Sequence, residues 1–168
     1  MEGPPPSGFD CAREAQNLFL YQQAWLDQEE SVSTTYLYHV QGMVAAYATV
    51  CMHAIVLGTR EKPRSIRYKQ IAAVQLAQMG VDRRFQGTGV GRRIIADVIR
   101  LARESSEFVG CRYVALDAVP DLLPWYAHWG FKINKLMQKQ RLEATAGKLD
   151  PAKLPVSMRF DLLGPVEP

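Results

Sequence analysis

Val81-Asp82-Arg83-Arg84-Phe85-Gln86-Gly87-Thr88-Gly89-Val90-Gly91-Arg92 decides how the rest of the chain reads. An apolar run, residues 71–79, leads into it and an amphipathic helical pattern, residues 92–108, leads out, so the order is strand, glycine-rich turn, helix. Such a turn aims several backbone N–H groups along the axis of a helix whose first turn carries partial positive charge, a natural seat for phosphate oxygens. Glycine at 87, 89 and 91 permits close backbone approach and dihedrals that a side chain would forbid. On glycine spacing alone a flexible loop would serve as well. A Walker loop is excluded because no Gly-Lys-Ser/Thr follows, and the spacing fits a dinucleotide fingerprint poorly in a chain with no clear second βαβ unit.

Downstream, Ile94, Ile95, Val98, Leu101 and Ala102 make the apolar face of the helix, and Gly110 is expected as its C′ residue. Residues 113–118 form a second apolar strand, parallel to the first because a helical crossover joins them. Asp121 is expected to cap a short helix over 122–129, with Pro124 in its first turn and Gly130 ending it. Residues 131–136 and 156–162 read as the last strands, and 138–155 as a polar, lysine-bearing loop.

Upstream, residues 1–8 read as a flexible Pro- and Gly-rich segment. Asp10 is expected to cap an amphipathic helix of about four turns. Residues 35–40 and 43–52 form an antiparallel hairpin about Gln41-Gly42, and 54–70 connect it to the strand at 71–79. The fold class is α/β: a mixed sheet with an antiparallel N-terminal half, a parallel centre and flanking helices, in one domain over 9–163 with a tail over 164–168.

With 168 residues the chain can bury a sizeable core, and 48% hydrophobic with 22% charged residues is ordinary for a globular protein. No apolar run approaches bilayer-spanning length, and Met1-Glu2-Gly3-Pro4-Pro5-Pro6 lacks a basic region followed by an apolar one, so a cytoplasmic location without membrane contact is expected. Cys11, Cys51 and Cys111 are odd in number and widely spaced, which favours free thiols over a disulfide framework or a zinc site. The net charge of +3 implies no polyanionic partner by itself, but Arg60, Lys62, Arg64, Arg67 and Lys69 crowd one segment against Glu61 alone. That segment is either a solvated face or a phosphate-binding one.

Gln86-x-x-Gly89-x-Gly91, with Val81 five positions ahead at a strand end, resembles the acetyl-CoA-binding motif of the GNAT acetyltransferase superfamily. Trp125-Tyr126-Ala127-His128-Trp129-Gly130-Phe131 is similar to that family's Phe-Tyr-x-x-x-Gly-Phe signature, and the likeness covers roughly residues 34–136. It implies two adjacent parallel strands that splay apart and admit the pantetheine arm of acetyl-CoA. Backbone groups at Met79, Gly80 and Val81 would bond the pantetheine amides, while Arg84 and Gln86 flank the turn as cofactor contacts. N–H groups over Gly87, Thr88, Gly89, Val90, Gly91 and Arg92 would hold the pyrophosphate. Tyr126 would give a proton to the departing thiolate, a role suited to a phenol protonated at neutral pH. The same signature also fits a packing tyrosine at a helix start.

The residues name no general base. Asp117 and Gln75 are candidates to order a water near the amine, and His128 should point elsewhere on the helix. Many GNAT sequences place a polar residue seven positions before the tyrosine, where this chain has Val119. A narrower likeness lies in Phe9-Asp10-Cys11, Pro63-Arg64, Val81 to Gly87 and Glu107-Phe108-Val109-Gly110, which resemble the GNAT toxins of bacterial toxin-antitoxin pairs. That resemblance implies acetylation of the amino group of aminoacyl-tRNA, silencing by a ribbon-helix-helix antitoxin and, as in many GNAT enzymes, a homodimer. Members commonly continue the opening cysteine with glycine, and this chain has Ala12. Three functions remain open on the sequence: a toxin-like N-acetyltransferase, a GNAT enzyme acting on a small-molecule or protein amine, and a CoA-binding module without turnover.

Overall fold

A computed structural model describes residues 8–164. Residues 1–7 and the tail from 165 lie outside the described residues, and with them nearly all of the expected flexible leader. The chain packs into two compact units, one built from the chain up to Met52 together with Leu76–Leu101, the other from His53–Gln75 together with the chain from Ala102 on.

In the first unit, a helical run comprises α1 (Glu14–Leu18), a π turn over Phe19–Gln23 and α2 (Ala24–Glu29). It buries Leu20 and Ala24 against Phe9, Cys11, Val44 and Tyr47. Asp10 is not its cap: Arg13 holds the N-cap position without a side-chain bond. The Asp10 carboxylate instead accepts from Ala12 N at 2.8 Å and Asn17 Nδ2 at 2.9 Å. The expected hairpin follows as β1 (Thr34–Val40) and β2 (Met43–Val56). Gln41 and Gly42 both have positive φ, 51° and 76°, as a two-residue turn matched to strand twist requires. Thr35 and Thr49 face each other across the ladder and share a buried hydroxyl bond of 2.8 Å.

The strand β3 (Gln70–Val81) leads into the glycine motif, and α3 (Val90–Ser106) leaves it. The helix starts inside the motif, two residues earlier than its apolar period indicates. Ile94, Ile95, Val98 and Ala102 are buried, each aliphatic side chain being worth roughly 2 kcal/mol by removal from water. Gly110 is not the C′ residue. The helix closes at Ser106 through i to i−3 bonds from Glu107 and Phe108, and Gly110 lacks the positive φ of such a cap.

The second unit contains β4 (Tyr113–Ala118), α4 (Leu123–His128), β5 (Lys132–Ile133), α5 (Lys135–Thr145) and β6 (Val156–Asp161). Its core gathers Ile55, Leu57, Ile71, Ala73, Tyr113 and Ala115. Asp121 does not cap α4, which follows a 3₁₀ turn over Pro120–Leu122 and has Leu122 at its N-cap without a side-chain bond. Gly130 ends α4 as expected. Gly130 N reaches Ala127 O at 2.9 Å and Phe131 N reaches Tyr126 O at 3.2 Å, while the Tyr126 and Phe131 rings meet at 5.8 Å. These are the paired bonds and apolar contact of a Schellman motif, made possible by φ 83° at Gly130.

The stretch expected as a loop over 138–155 is instead largely helical, in α5 and a 3₁₀ turn over Pro151–Lys153, and the strand expected over 131–136 shrinks to the two residues of β5. Helix α5 lacks a side-chain cap from its own N-cap residue, Asn134. Glu61 supplies the cap from far away, its carboxylate accepting from Lys135 N at 2.6 Å and Leu136 N at 3.0 Å.

Among the described residues the six strands stand in the order β1-β2-β3-β4-β6-β5. The backbone bonds Leu57 N to Lys69 O and Asp82 N to Ala45 O make β2 and β3 antiparallel. β6 is antiparallel to both β4 and β5, which leaves β3 and β4, joined through α3, as the parallel pair. No helix among the described residues is long and apolar enough to cross a membrane.

Candidate functional site

The glycine turn belongs wholly to the first unit and is held from behind. Asp82 is 2% exposed, and its carboxylate accepts Arg84 Nε at 2.8 Å, Arg84 Nη2 at 2.9 Å, Arg84 N at 3.0 Å and Asp10 N at 3.0 Å. The Arg84 guanidinium beside it holds this carboxyl far below the usual carboxylate range, against the opposing effect of burial. Arg84, expected as a cofactor contact, bonds Asp82 and donates to Gly8 O at 3.0 Å with its side chain half exposed, and Asp82 is the residue that the motif alone does not single out. An acidic residue directly after an apolar strand, two positions before an arginine, was the available signal.

Gln86 turns its amide nitrogen back onto Val81 O at 3.0 Å and Cys11 O at 3.3 Å. Thr88 donates its hydroxyl to Phe85 O at 2.6 Å. Gly87 and Gly89 have φ of 77° and 94°, and a Cβ on either would meet nothing within 4 Å. Open space therefore lies over the turn. The first backbone bond of α3 runs from Arg93 N to Gly89 O at 3.1 Å, so Val90 and Gly91 stand ahead of the helical ladder at its positive end. A left-handed turn, free volume and a helix N-terminus fit a diphosphate. Gly80 answers a different need, because a Cβ there would lie 2.6 Å from the Tyr47 ring. Met79 and Val81 end β3 on either side of it, both half-buried.

Tyr126 stands in the second unit. It is 7% exposed, with its ring edge-on to Trp125 at 4.9 Å and to Phe131 at 5.8 Å. Aromatic contacts on two sides and the Schellman bond to its carbonyl fix this tyrosine's rotamer and backbone together. His128 is exposed on the same helix, as expected. Val119 precedes the 3₁₀ turn and brings no polar side chain. Asp117 is not a free base: Arg141 Nη2 bonds both of its oxygens, at 2.8 and 2.9 Å, and Arg141 Nη1 reaches Pro155 O at 2.6 Å. Gln75 is half-buried on β3.

The basic segment also lies in the second unit. Arg60, Arg64, Arg67 and Lys69 are exposed, as is Tyr68 at 77%. Lys62 folds inward and donates to the carbonyls of Ile66 and Tyr68. Glu61 is the anchor. It bonds the amides that open α5, accepts from Gly58 N at 3.1 Å and pairs with Arg159, which also donates to Asn134 Oδ1 at 2.8 Å and to Glu61 O at 2.8 Å. Burial pushes the Glu61 carboxyl up, but the three amides and Arg159 outweigh it and leave the group below its ordinary value.

The model of the acetyltransferase (GNAT) family matches residues 10–131. No curated protein matches the chain. Among solved structures, a bacterial toxin superposes with a TM-score of 0.76 at 18% identity, covering 96% of this chain and 86% of that one. AtaT complexed with acetyl-methionyl-tRNAfMet gives 0.72 at 23% identity, over 91% and 85% of the two chains. A tyrosine-to-phenylalanine mutant of AtaT, bound to the C-terminus of the antitoxin AtaR and acetyl-CoA, gives 0.67 at 20% identity, over 92% and 83%. At these identities the likeness shows the fold.

Proposed function

The chain belongs to the acetyltransferase (GNAT) family, and from that membership we propose that it is an acetyl-CoA-dependent N-acetyltransferase whose acceptor is the amino group of aminoacyl-tRNA. The observation that carries the transferase reading is the turn itself, with left-handed Gly87 and Gly89 beneath open space at the N-terminus of α3. The amides of Gly87 to Arg92 hold the diphosphate, and the backbone of Met79, Gly80 and Val81 holds the pantetheine arm. Gln86 and Thr88 keep the turn in shape, and Arg84 supports it through Asp82.

Bound acetyl-CoA supplies an activated thioester. The acceptor amine, neutral when it attacks, forms the new N–C bond as the C–S bond breaks, and its surplus proton leaves to water. Tyr126 donates its phenolic proton to the departing sulfur and is reprotonated from solvent. Its packing against Trp125 and Phe131 limits the rotamers it must give up to do so.

The exposed cations of the 60–69 segment favour a phosphate-bearing acceptor over a free amine. The toxin neighbours, one of them solved with an acetylated aminoacyl-tRNA, support the same choice. On this reading the protein acts in the cytoplasm, is silenced by a ribbon-helix-helix antitoxin and works as a homodimer. The test is mass spectrometry after incubating the purified chain and acetyl-CoA with aminoacyl-tRNAs, free amines and protein N-termini. Acetylated aminoacyl-tRNA is expected. Acetylation confined to free or protein amines would replace the acceptor, and no product from any amine would reduce the chain to a CoA-binding module.

A further inference from the structure

Residues 8–11 do more than lead into the first helix, because they form a strap laid along the start of the glycine turn. Gly8 O accepts Arg84 Nη2 at 3.0 Å, Asp10 N donates to Asp82 Oδ2 at 3.0 Å, Asp10 O accepts Arg83 N at 2.9 Å, and Cys11 O accepts Gln86 Nε2 at 3.3 Å. The Asp10 carboxylate adds an ion pair to Arg83 at 3.2 Å. Every polar residue from Asp82 to Gln86 is thereby tied to the strap. Both amide hydrogens of Gln86 are used, one on Cys11 O and one on Val81 O, so its nitrogen serves the protein.

The strap is fixed on its other side as well. Phe9 N donates to the Tyr21 hydroxyl at 2.7 Å, and Cys11 N donates to Asn17 Oδ1 at 3.0 Å. Phe9 and Cys11 are 5% and 6% exposed, so their side chains root the segment in the core of the first unit. Asp10 organises the whole: one oxygen closes a turn on Ala12 N and Asn17 Nδ2, the other faces Arg83, and its backbone bonds both Asp82 and Arg83.

We propose that Asp10 is a positioning residue for acetyl-CoA: the strap it organises holds residues 82–86 so that the following turn meets the diphosphate already ordered. The entropy of fixing the turn is then lost on folding and not at binding. This rests on the cofactor reading of the turn given above.

The test uses the full chain, with acetyl-CoA affinity by calorimetry, steady-state kinetics and thermal melting. Asp10→Ala is expected to raise Kd and KM for acetyl-CoA about tenfold, the scale of one net charge-assisted hydrogen bond. kcat at saturating acetyl-CoA and KM for the acceptor should not change. Asp10→Asn, which keeps an oxygen for Ala12 N, should recover most of the affinity. Asn17→Ala, which removes the half-buried amide that bonds Cys11 N and Asp10 Oδ1, should shift Kd in the same direction and decides the matter if Asp10→Ala does not fold. A lower melting temperature with unchanged Kd in these variants would overturn the positioning role alone. A wild-type chain that bound no acetyl-CoA would overturn the cofactor reading and the strap's role with it.

Discussion

Asp82 and Arg84 form a two-pronged ion pair, Nε to Oδ1 at 2.8 Å and Nη2 to Oδ2 at 2.9 Å, at the point where β3 becomes the glycine turn. The carboxylate is buried and the arginine half exposed, so the pair is screened on one side only. Because the folded-state pKa of Asp82 is depressed, its contribution is complete above the ordinary carboxylate pKa and is lost as pH falls toward the folded value. Asp82→Asn should therefore cost about 2 kcal/mol at neutral pH. Urea melts from pH 7 downward should show the gap between variant and wild type closing in acid.

Tyr126→Phe keeps the ring that packs on Trp125 and Phe131 and removes the hydroxyl. Turnover should fall by roughly tenfold or more, with acetyl-CoA affinity nearly unchanged. A variant with full kcat would leave Tyr126 as a packing residue.

Gly89→Val is strained at φ 94°, and its Cβ, which would meet nothing within 4 Å, puts a side chain into the space over the turn. The backbone strain is about 1–2 kcal/mol. Calorimetry should show acetyl-CoA binding abolished while the protein remains folded. Retained binding would place the cofactor elsewhere.

Arg64→Ala combined with Arg67→Ala removes two exposed charges from the 60–69 segment without touching the buried pair of Glu61 and Arg159. If tRNA phosphates are held there, KM for aminoacyl-tRNA should rise several-fold. The log–log slope of affinity against salt should flatten by about 0.7–0.9 for each phosphate that is no longer neutralised. Unchanged salt dependence would argue for a small or protein amine.

Ala12 holds φ 67°, a left-handed conformation in which a Cβ costs about 1 kcal/mol. Ala12→Gly should raise the melting temperature by about 2 to 4 °C if the strain exceeds the added entropy of the unfolded chain.

The strand, turn and helix about the glycine motif were legible because each carries a local signal: the apolar run ahead of Val81, the glycines and the period of Ile94, Ile95 and Val98. The hairpin was legible for the same reason at Gln41-Gly42. Helix α5 was not, since its cap comes from Glu61, 74 positions before Lys135, and no local pattern records it. Asp10 and Asp121 look like caps in isolation. Asp10 is claimed by Ala12 and Asn17, and α4 is entered from the 3₁₀ turn at Pro120. At the candidate site, Arg84 and Gln86 spend side-chain bonds on Asp82, Val81 and the strap, pairings that appear only once the chain is folded.

The most direct test is a crystal structure of the full chain with acetyl-CoA. Diphosphate oxygens are expected at about 3 Å from backbone nitrogens between Gly87 and Arg92, with Asp82, Arg84 and the strap unmoved. Density for the diphosphate on any other element, with the turn left bare, would contradict it.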